Sequence, residues 1–177
     1  QLLYQKIKNL KSDREMELIR DANVVADAMM RAMLAVLKPG MMETQVAGWA
    51  YLVGMELGGE ENGFDVMVGA GEANRTLIGK ALNRPIKTGD WVHLGVAPKR
   101  DGLTSCIRRS VVAGKPTKDQ RYWFDFVSDA YDVGFAAYQD IVKHNKPAKH
   151  QEQALVDYFR EHTAEVNQKF KLKLDDL

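Results

Sequence analysis

The residue types with the most chemistry between them fall in one stretch, residues 88–114. It carries His93, Thr104, Cys106 and the adjacent Arg108 and Arg109. An imidazole titrates near neutrality and can serve as a general base. A thiolate can serve as a nucleophile if a base lies within hydrogen-bond reach. A guanidinium fork can hold a carboxylate, or a planar amidino or amide group. The stretch reads as two strands: Gly89-Asp90 opens a turn, residues 91–97 form the first strand, 98–102 a polar connection, and 103–113 the second strand, ending at Gly114. Alternation then places Trp91, His93, Gly95 and Ala97 on one face of the first strand, and Thr104, Cys106, Arg108 and Ser110 on one face of the second. Arg108 and Arg109 point to opposite faces.

Each of these residues has a plain reading beside the chemical one. Cys106 is a lone cysteine with no Cys or His at ligand spacing, so it is weak as a metal ligand and reads first as an inert thiol buried in a strand. As a nucleophile it needs His93 as its base. If positions 95 and 106 converge, His93 comes to lie beside Arg108 instead, an arrangement that lowers the imidazole pKa and favours an anion. His93 also reads as a sheet histidine whose hydrogen bonds are met. Arg108, with Thr104 beside it, serves either a substrate or a carboxylate from elsewhere in the protein.

The elements around the strands follow from caps and periodicity. Ser12 and Glu15 form a capping box, and Leu18, Ile19, Ala22, Val25, Ala26, Met29, Met33 and Val36 recur at helical spacing until Pro39-Gly40. A second helix covers about residues 43–57, with Val46, Trp49, Ala50, Val53 and Leu57 turned inward. Residues 64–70 read as a strand and 69–74 as a glycine-rich turn. That turn is not a phosphate loop, since no Lys-Ser/Thr follows it. Thr117 caps a long helix to about Lys143, with Trp123, Phe126, Val127, Ala130, Val133, Gly134, Ala137 and Ile141 inward. Lys146-Pro147 breaks it, residues 149–166 form another helix, and 170–174 begin a strand.

In this register the chain resembles the creatinase, aminopeptidase P, prolidase and methionine aminopeptidase superfamily. The resemblance rests on Lys11-Ser12 with Glu15 and Ile19-Arg20, on Lys38-Pro39-Gly40 with Glu43, on Gly89-Asp90 with the strand after it, and on Gly102 with Arg109. It implies an α+β "pita-bread" fold, an antiparallel curved sheet covered by helices. The helix pair at 118–166 echoes the pair at 15–57, as that fold's pseudo-twofold implies. Members of the family hold two metal ions, and two of the ligands are Asp residues of this region. Matched residue by residue, those Asp positions fall on Gly95 and Cys106, the family Tyr on Leu103 and its Arg on Arg109. The substrate-touching His falls on Ile78, and the Asn of the preceding turn on or beside Ala73 and Asn74. Neither a metal nor another cofactor is therefore expected from this half. The expected site is His93 and Cys106 for catalysis, with Thr104, Arg108 and Asn74 for substrate.

The 177 residues read as one globular domain with a formal net charge of +1, which argues against a general nucleic-acid or membrane-surface role. Charge is uneven, with eleven basic and four acidic residues between Glu72 and Arg121, and eight acidic and four basic residues between Asp125 and Glu165. One cysteine and no apolar run of membrane length fit a cytoplasmic setting. Half of a two-lobed sheet leaves an open edge, so either the natural protein continues beyond Leu177 or a partner copy covers it, and a homodimer is expected. Three functions are consistent with these features: a hydrolase of a C–N bond in a small peptide or amidino substrate with a metal-free or rearranged site, a catalytically inactive module binding a peptide, acidic protein or nucleic acid, and a structural subunit of a larger hydrolase.

Overall fold

The structure is a computed structural model describing residues 2–75 and 78–175. It forms two compact units, Gln1–Pro116 and Thr117–Leu177. In the first unit a helical layer packs on one side of a small antiparallel sheet. Helix α1 (Leu2–Asn9) precedes α2 (Asp13–Val36) and α3 (Glu43–Glu56). The expected capping box starts α2: Ser12 Oγ accepts from the Glu15 amide, and the Glu15 carboxylate accepts from the Ser12 amide at 2.7 Å. The stripe Ala22, Val25, Ala26, Met29, Met30 and Met33 is buried, as the period of 3.6 predicts.

Helix α3 departs from expectation. Val46 and Ala50 are buried, but Trp49 and Leu57 are nearly half exposed. A helix apolar nearly all round offers periodicity no face to select.

The sheet has the order β1–β2–β5, with β1 Met67–Ala70, β2 Trp91–Val96 and β5 Ile107–Val112. Between β2 and β5 a short hairpin joins β3 (Lys99–Arg100) to β4 (Leu103–Thr104). Asp101 and Gly102 both have positive φ there, the backbone that a tight two-residue hairpin needs. Val92, Leu94 and Val96 of β2, Val68 of β1 and Ile107 and Val111 of β5 join the core formed with α2 and α3. The opposite face of the sheet carries Met67 and Gly69, then Trp91, His93 and Gly95, then Arg108, Ser110 and Val112.

The second strand of the expected pair is broken. Instead of running from 103 to 113 it stops after Thr104 and restarts at Ile107. Ser105 is buried and its hydroxyl donates to Asn23 Oδ1 on α2 at 3.0 Å. That tether turns the chain and ends the alternation on which Thr104 and Cys106 shared a face with Arg108.

The second unit is a helix hairpin of α4 (Lys118–His144) and α5 (Lys149–Phe170). Thr117 caps α4 as expected, its hydroxyl accepting from the Gln120 amide. Phe126, Ala130 and Gly134 are buried, while Val127 is exposed. Phe126 packs among Tyr122, Trp123, Tyr158 and Phe159. The strand expected at 170–174 is absent: Phe170 ends α5, and the Asn167 side chain both donates to the Leu174 carbonyl and accepts from its amide.

Candidate functional site

The candidate site is the sheet face turned away from α2 and α3. Antiparallel pairing sets Gly95 opposite Met67 on one side and opposite Arg108 on the other. His93 lies opposite Gly69 and Ser110. One physical fact dominates here. A Cβ built on Gly95 would lie 2.2 Å from Met67 Cε and 3.6 Å from Arg108 Cγ. The thioether tip of Met67, a residue only 1% exposed, fills the space that a side chain at position 95 would enter.

Arg108 extends past Phe64, its guanidinium carbon 5.7 Å from the ring centroid. A planar guanidinium over a ring is held in orientation by that contact. His93 is partly buried, and its Nε2 is buried with no hydrogen-bond partner among the described residues. The histidine is thus not the satisfied one of the plain reading. Burial, and secondarily the nearby Arg108 charge, hold its pKa below the ordinary histidine value.

A 3-10 turn, Gly71–Arg75, curls back over the end of this face. A Cβ on Gly69 would lie 3.2 Å from the Ala73 carbonyl oxygen, so the turn packs closely over this glycine. Asn74 lines a cleft of about 390 Å³ with Trp91 and Asp90. A neighbouring cleft of about 490 Å³ is lined by Glu43, Glu72, Arg84, Lys87 and Asp90. Glu43 is fully buried at the start of α3 and anchors that cleft, accepting from the amides of Ala70 and Leu82 and from the Arg84 guanidinium.

Of the five expected site residues, the structure brings together His93 and Arg108, with Asn74 at the end of the same face. It leaves out Thr104 and Cys106. Thr104 is exposed on β4, and Cys106 is an exposed thiol between β4 and β5, not a buried strand residue. The β2–β5 ladder ends at Val96 and Ile107 while His93 pairs with Ser110. Cys106 therefore lies four residues along the chain from the position opposite His93, about 13 Å at the rise of a strand. That separation is beyond the reach of a base for a thiol. Ile78, at the position of the family His, is exposed.

The pair of metal ions implied by the resemblance does not fit these residues. Gly95 has no donor and its Cβ space is filled, and Cys106 is solvent-facing. No group of three or more His, Cys, Asp or Glu that could hold an ion occurs among the described residues.

Sequence and fold comparisons place the chain. The metallopeptidase family M24 model matches residues 17–171. The chain belongs to metallopeptidase family M24. Within M24 it is 30% identical over 132 residues to the uncharacterized peptidase YqhT of Bacillus subtilis, covering 75% of this chain and 37% of that protein. It is 29% identical over 125 residues to a Xaa-Pro dipeptidase of Pyrococcus furiosus, covering 70% of this chain and 36% of the other. The prolidase structure from Pyrococcus furiosus superposes with a TM-score of 0.72 at 25% identity, over 75% of this chain and 39% of that one. The fold is the pita-bread fold of these enzymes, and the chain spans well under half the length of the M24 relatives it matches. No helix among the described residues is long and apolar enough to cross a membrane.

The state of His93 gives a direct check on the site. Because burial is the larger cause, replacing Arg108 with Gln raises the His93 pKa but leaves it below that of a free histidine. A group whose folded pKa is depressed protonates first in the unfolded chain as pH falls. Stability contributed by neutral His93 is therefore present above about pH 6.5, the unfolded value, and is lost below it. NMR titration of the imidazole in both proteins measures the shift. A His93 pKa at or above the ordinary value in the wild type would overturn the assignment of its burial.

Proposed function

We propose that the chain forms part of a hydrolase acting on a C–N bond of a small peptide or amidino substrate, without the two-metal site of its family and without another cofactor. Membership of M24 and likeness to Xaa-Pro dipeptidases support the reaction class. The Met67 methyl packed where a carboxylate at position 95 would start supports the departure from metal. His93, neutral at pH 7, is the group on this face able to take or give a proton, and Arg108 and Asn74 hold the substrate. Cys106 and Thr104 lie off this face and take no part in that step. The single cysteine supports a reducing, cytoplasmic setting, and the reading includes a homodimer.

The test uses the full-length protein: metal content by mass spectrometry, and hydrolysis of Xaa-Pro dipeptides and creatine with and without a chelator. Expected are well under one metal ion per chain and a rate changed less than about twofold by chelation, because no step depends on bound-water activation by metal. Stoichiometric manganese, cobalt or zinc together with chelator-sensitive hydrolysis would refute it. A second reading, an inactive peptidase-like module for an acidic partner, is favoured by the exposed Arg75, Lys80, Arg84 and Lys87. Binding that weakens steeply with salt in the absence of any hydrolysis would select it.

A further inference from the structure

We infer that the cleft between the 3-10 turn and the start of β2 is a second binding site, separate from the sheet face, for a small zwitterion with a free ammonium and a free carboxylate, an amino acid or a short peptide. The inference does not depend on the hydrolase reading. The cavity measures about 490 Å³, inside the range of roughly 300–1,000 Å³ usual for small-molecule sites. Its walls carry charge of both signs, Arg84 and Lys87 against Glu72 and Asp90. One charge of each sign is fixed by the fold. Arg84 donates through Nε and Nη2 to Glu43 Oε2, at 3.3 and 3.1 Å, and the Glu43 carboxylate is itself buried and held by two backbone amides. The guanidinium is thus anchored along one edge, while its Nη1 bonds to no described residue. Asp90 Oδ2 accepts from the Lys87 amide at 2.8 Å, and its Oδ1 would lie 3.2 Å from a Cβ built on Gly71.

Each fixed charge has an exposed companion of its own sign, Lys87 for Arg84 and Glu72 for Asp90. Among the described residues no ion pair crosses the cleft, and the ion-pair partner of Arg84 is Glu43. Glu43 offers nothing further to a ligand, because its oxygens are occupied, and it offsets part of the Arg84 charge. Lys87 therefore supplies the net positive charge on that wall. Opposite charges that line one cavity without neutralising each other suit a molecule carrying one charge of each sign. Its carboxylate takes Arg84 Nη1 and Lys87 Nζ, and its ammonium takes Asp90 Oδ1 and Glu72. A ligand with charge of one sign only meets repulsion from one of the two walls. Because Arg84 and Asp90 are already held in place, little ordering of the protein opposes binding.

The experiment is an NMR-monitored titration of the full-length protein with alanine and with Ala-Ala, each against its N-acetylated and its C-amidated form. The better zwitterion of the two, which assigns the ligand as amino acid or peptide, is expected to bind at least about tenfold tighter than either blocked form. Arg84 and Asp90 also bond the fold, so the variants are placed at the exposed Lys87 and Glu72. Lys87→Gln should reduce the penalty for amidation to about threefold and leave that for acetylation unchanged, and Glu72→Gln should do the reverse. A merely structural role for either residue would not produce that crossed pattern. Asn74→Ala, in the neighbouring cleft, should change the affinity less than about twofold. No saturable binding of either zwitterion overturns the inference, as does equal affinity for free and blocked forms. A preference that both charge variants leave intact, or that Asn74→Ala abolishes, also overturns it. Dipeptide hydrolysis without this binding leaves the hydrolase reading standing and removes the second site, and binding in a protein that hydrolyses nothing does the opposite.

Discussion

Glu43→Ala is expected to destabilise the first unit by about 3 kcal/mol, the low end of what breaking a buried, hydrogen-bonded charge pair costs. The low end applies because Arg84, its ion-pair partner, keeps 46% of its side chain exposed and can rehydrate. The two backbone amides cannot do so as freely. Ala70 N at 2.9 Å and Leu82 N at 2.9 Å both point at the one carboxylate, which is fully buried. Removing it orphans donors on two separate segments and uncouples three elements: the start of α3, the end of β1 where the 3-10 turn begins, and the segment leading to β2. Glu43→Gln keeps the shape but offers one carbonyl oxygen for two amides, so an intermediate loss of about 1–2 kcal/mol is expected. Urea denaturation followed by circular dichroism measures both. A Glu43→Ala midpoint within experimental error of the wild type would show that the carboxylate is not the tie between these segments.

The parts of this arrangement that were legible in the sequence are those set by neighbours in the chain. Ser12 with Glu15 and Thr117 with Gln120 announce helix starts because a cap and its partner lie three residues apart. The Ala22-to-Met33 stripe is legible because one face of α2 alone is apolar. The pita-bread fold was legible through motif spacing, since the turns at Gly40 and Gly89 keep the family's positions. What failed depended on distant residues. The break after Thr104 follows from a hydroxyl reaching Asn23, 82 residues away in sequence, and nothing near Ser105 signals it. The role of Met67 depends on register: only pairing with Gly95 reveals that its methyl fills the space beside that glycine. Phe170, Leu172 and Leu174 alternate like a strand, yet the Asn167 side chain satisfies the backbone of Leu174 and removes the need for a ladder. His93 and Arg108 were legible as a pair only on the condition that positions 95 and 106 converge; the register instead sets Gly95 opposite Arg108 and His93 opposite Ser110, so the two are diagonal neighbours on one face.

Gly95→Asp, which restores the family's residue type, is expected to abolish function without restoring a metal site. Its Cβ would sit 2.2 Å from Met67 Cε, a contact no structure tolerates, so the thioether must move. Met67 is flexible at its tip but buried, and its methyl has to be rehoused in packed surroundings, which costs about 1–3 kcal/mol. The new carboxylate then lies beside Arg108 on the facing strand, where charge attraction returns part of that loss. Because the proposed function has Arg108 hold the substrate, binding of Ala-Pro should therefore fall by more than about tenfold. The double variant Gly95→Asp with Met67→Ala separates the two effects. Relieving the clash recovers much of the packing loss, yet binding stays weak because the Asp still faces Arg108. Thermal melts, calorimetry with Ala-Pro and metal analysis of the two proteins provide the readouts. A Gly95→Asp protein that melts like the wild type and takes up one divalent ion per chain would show that the methyl in this sheet is no barrier and that the site still accepts cations.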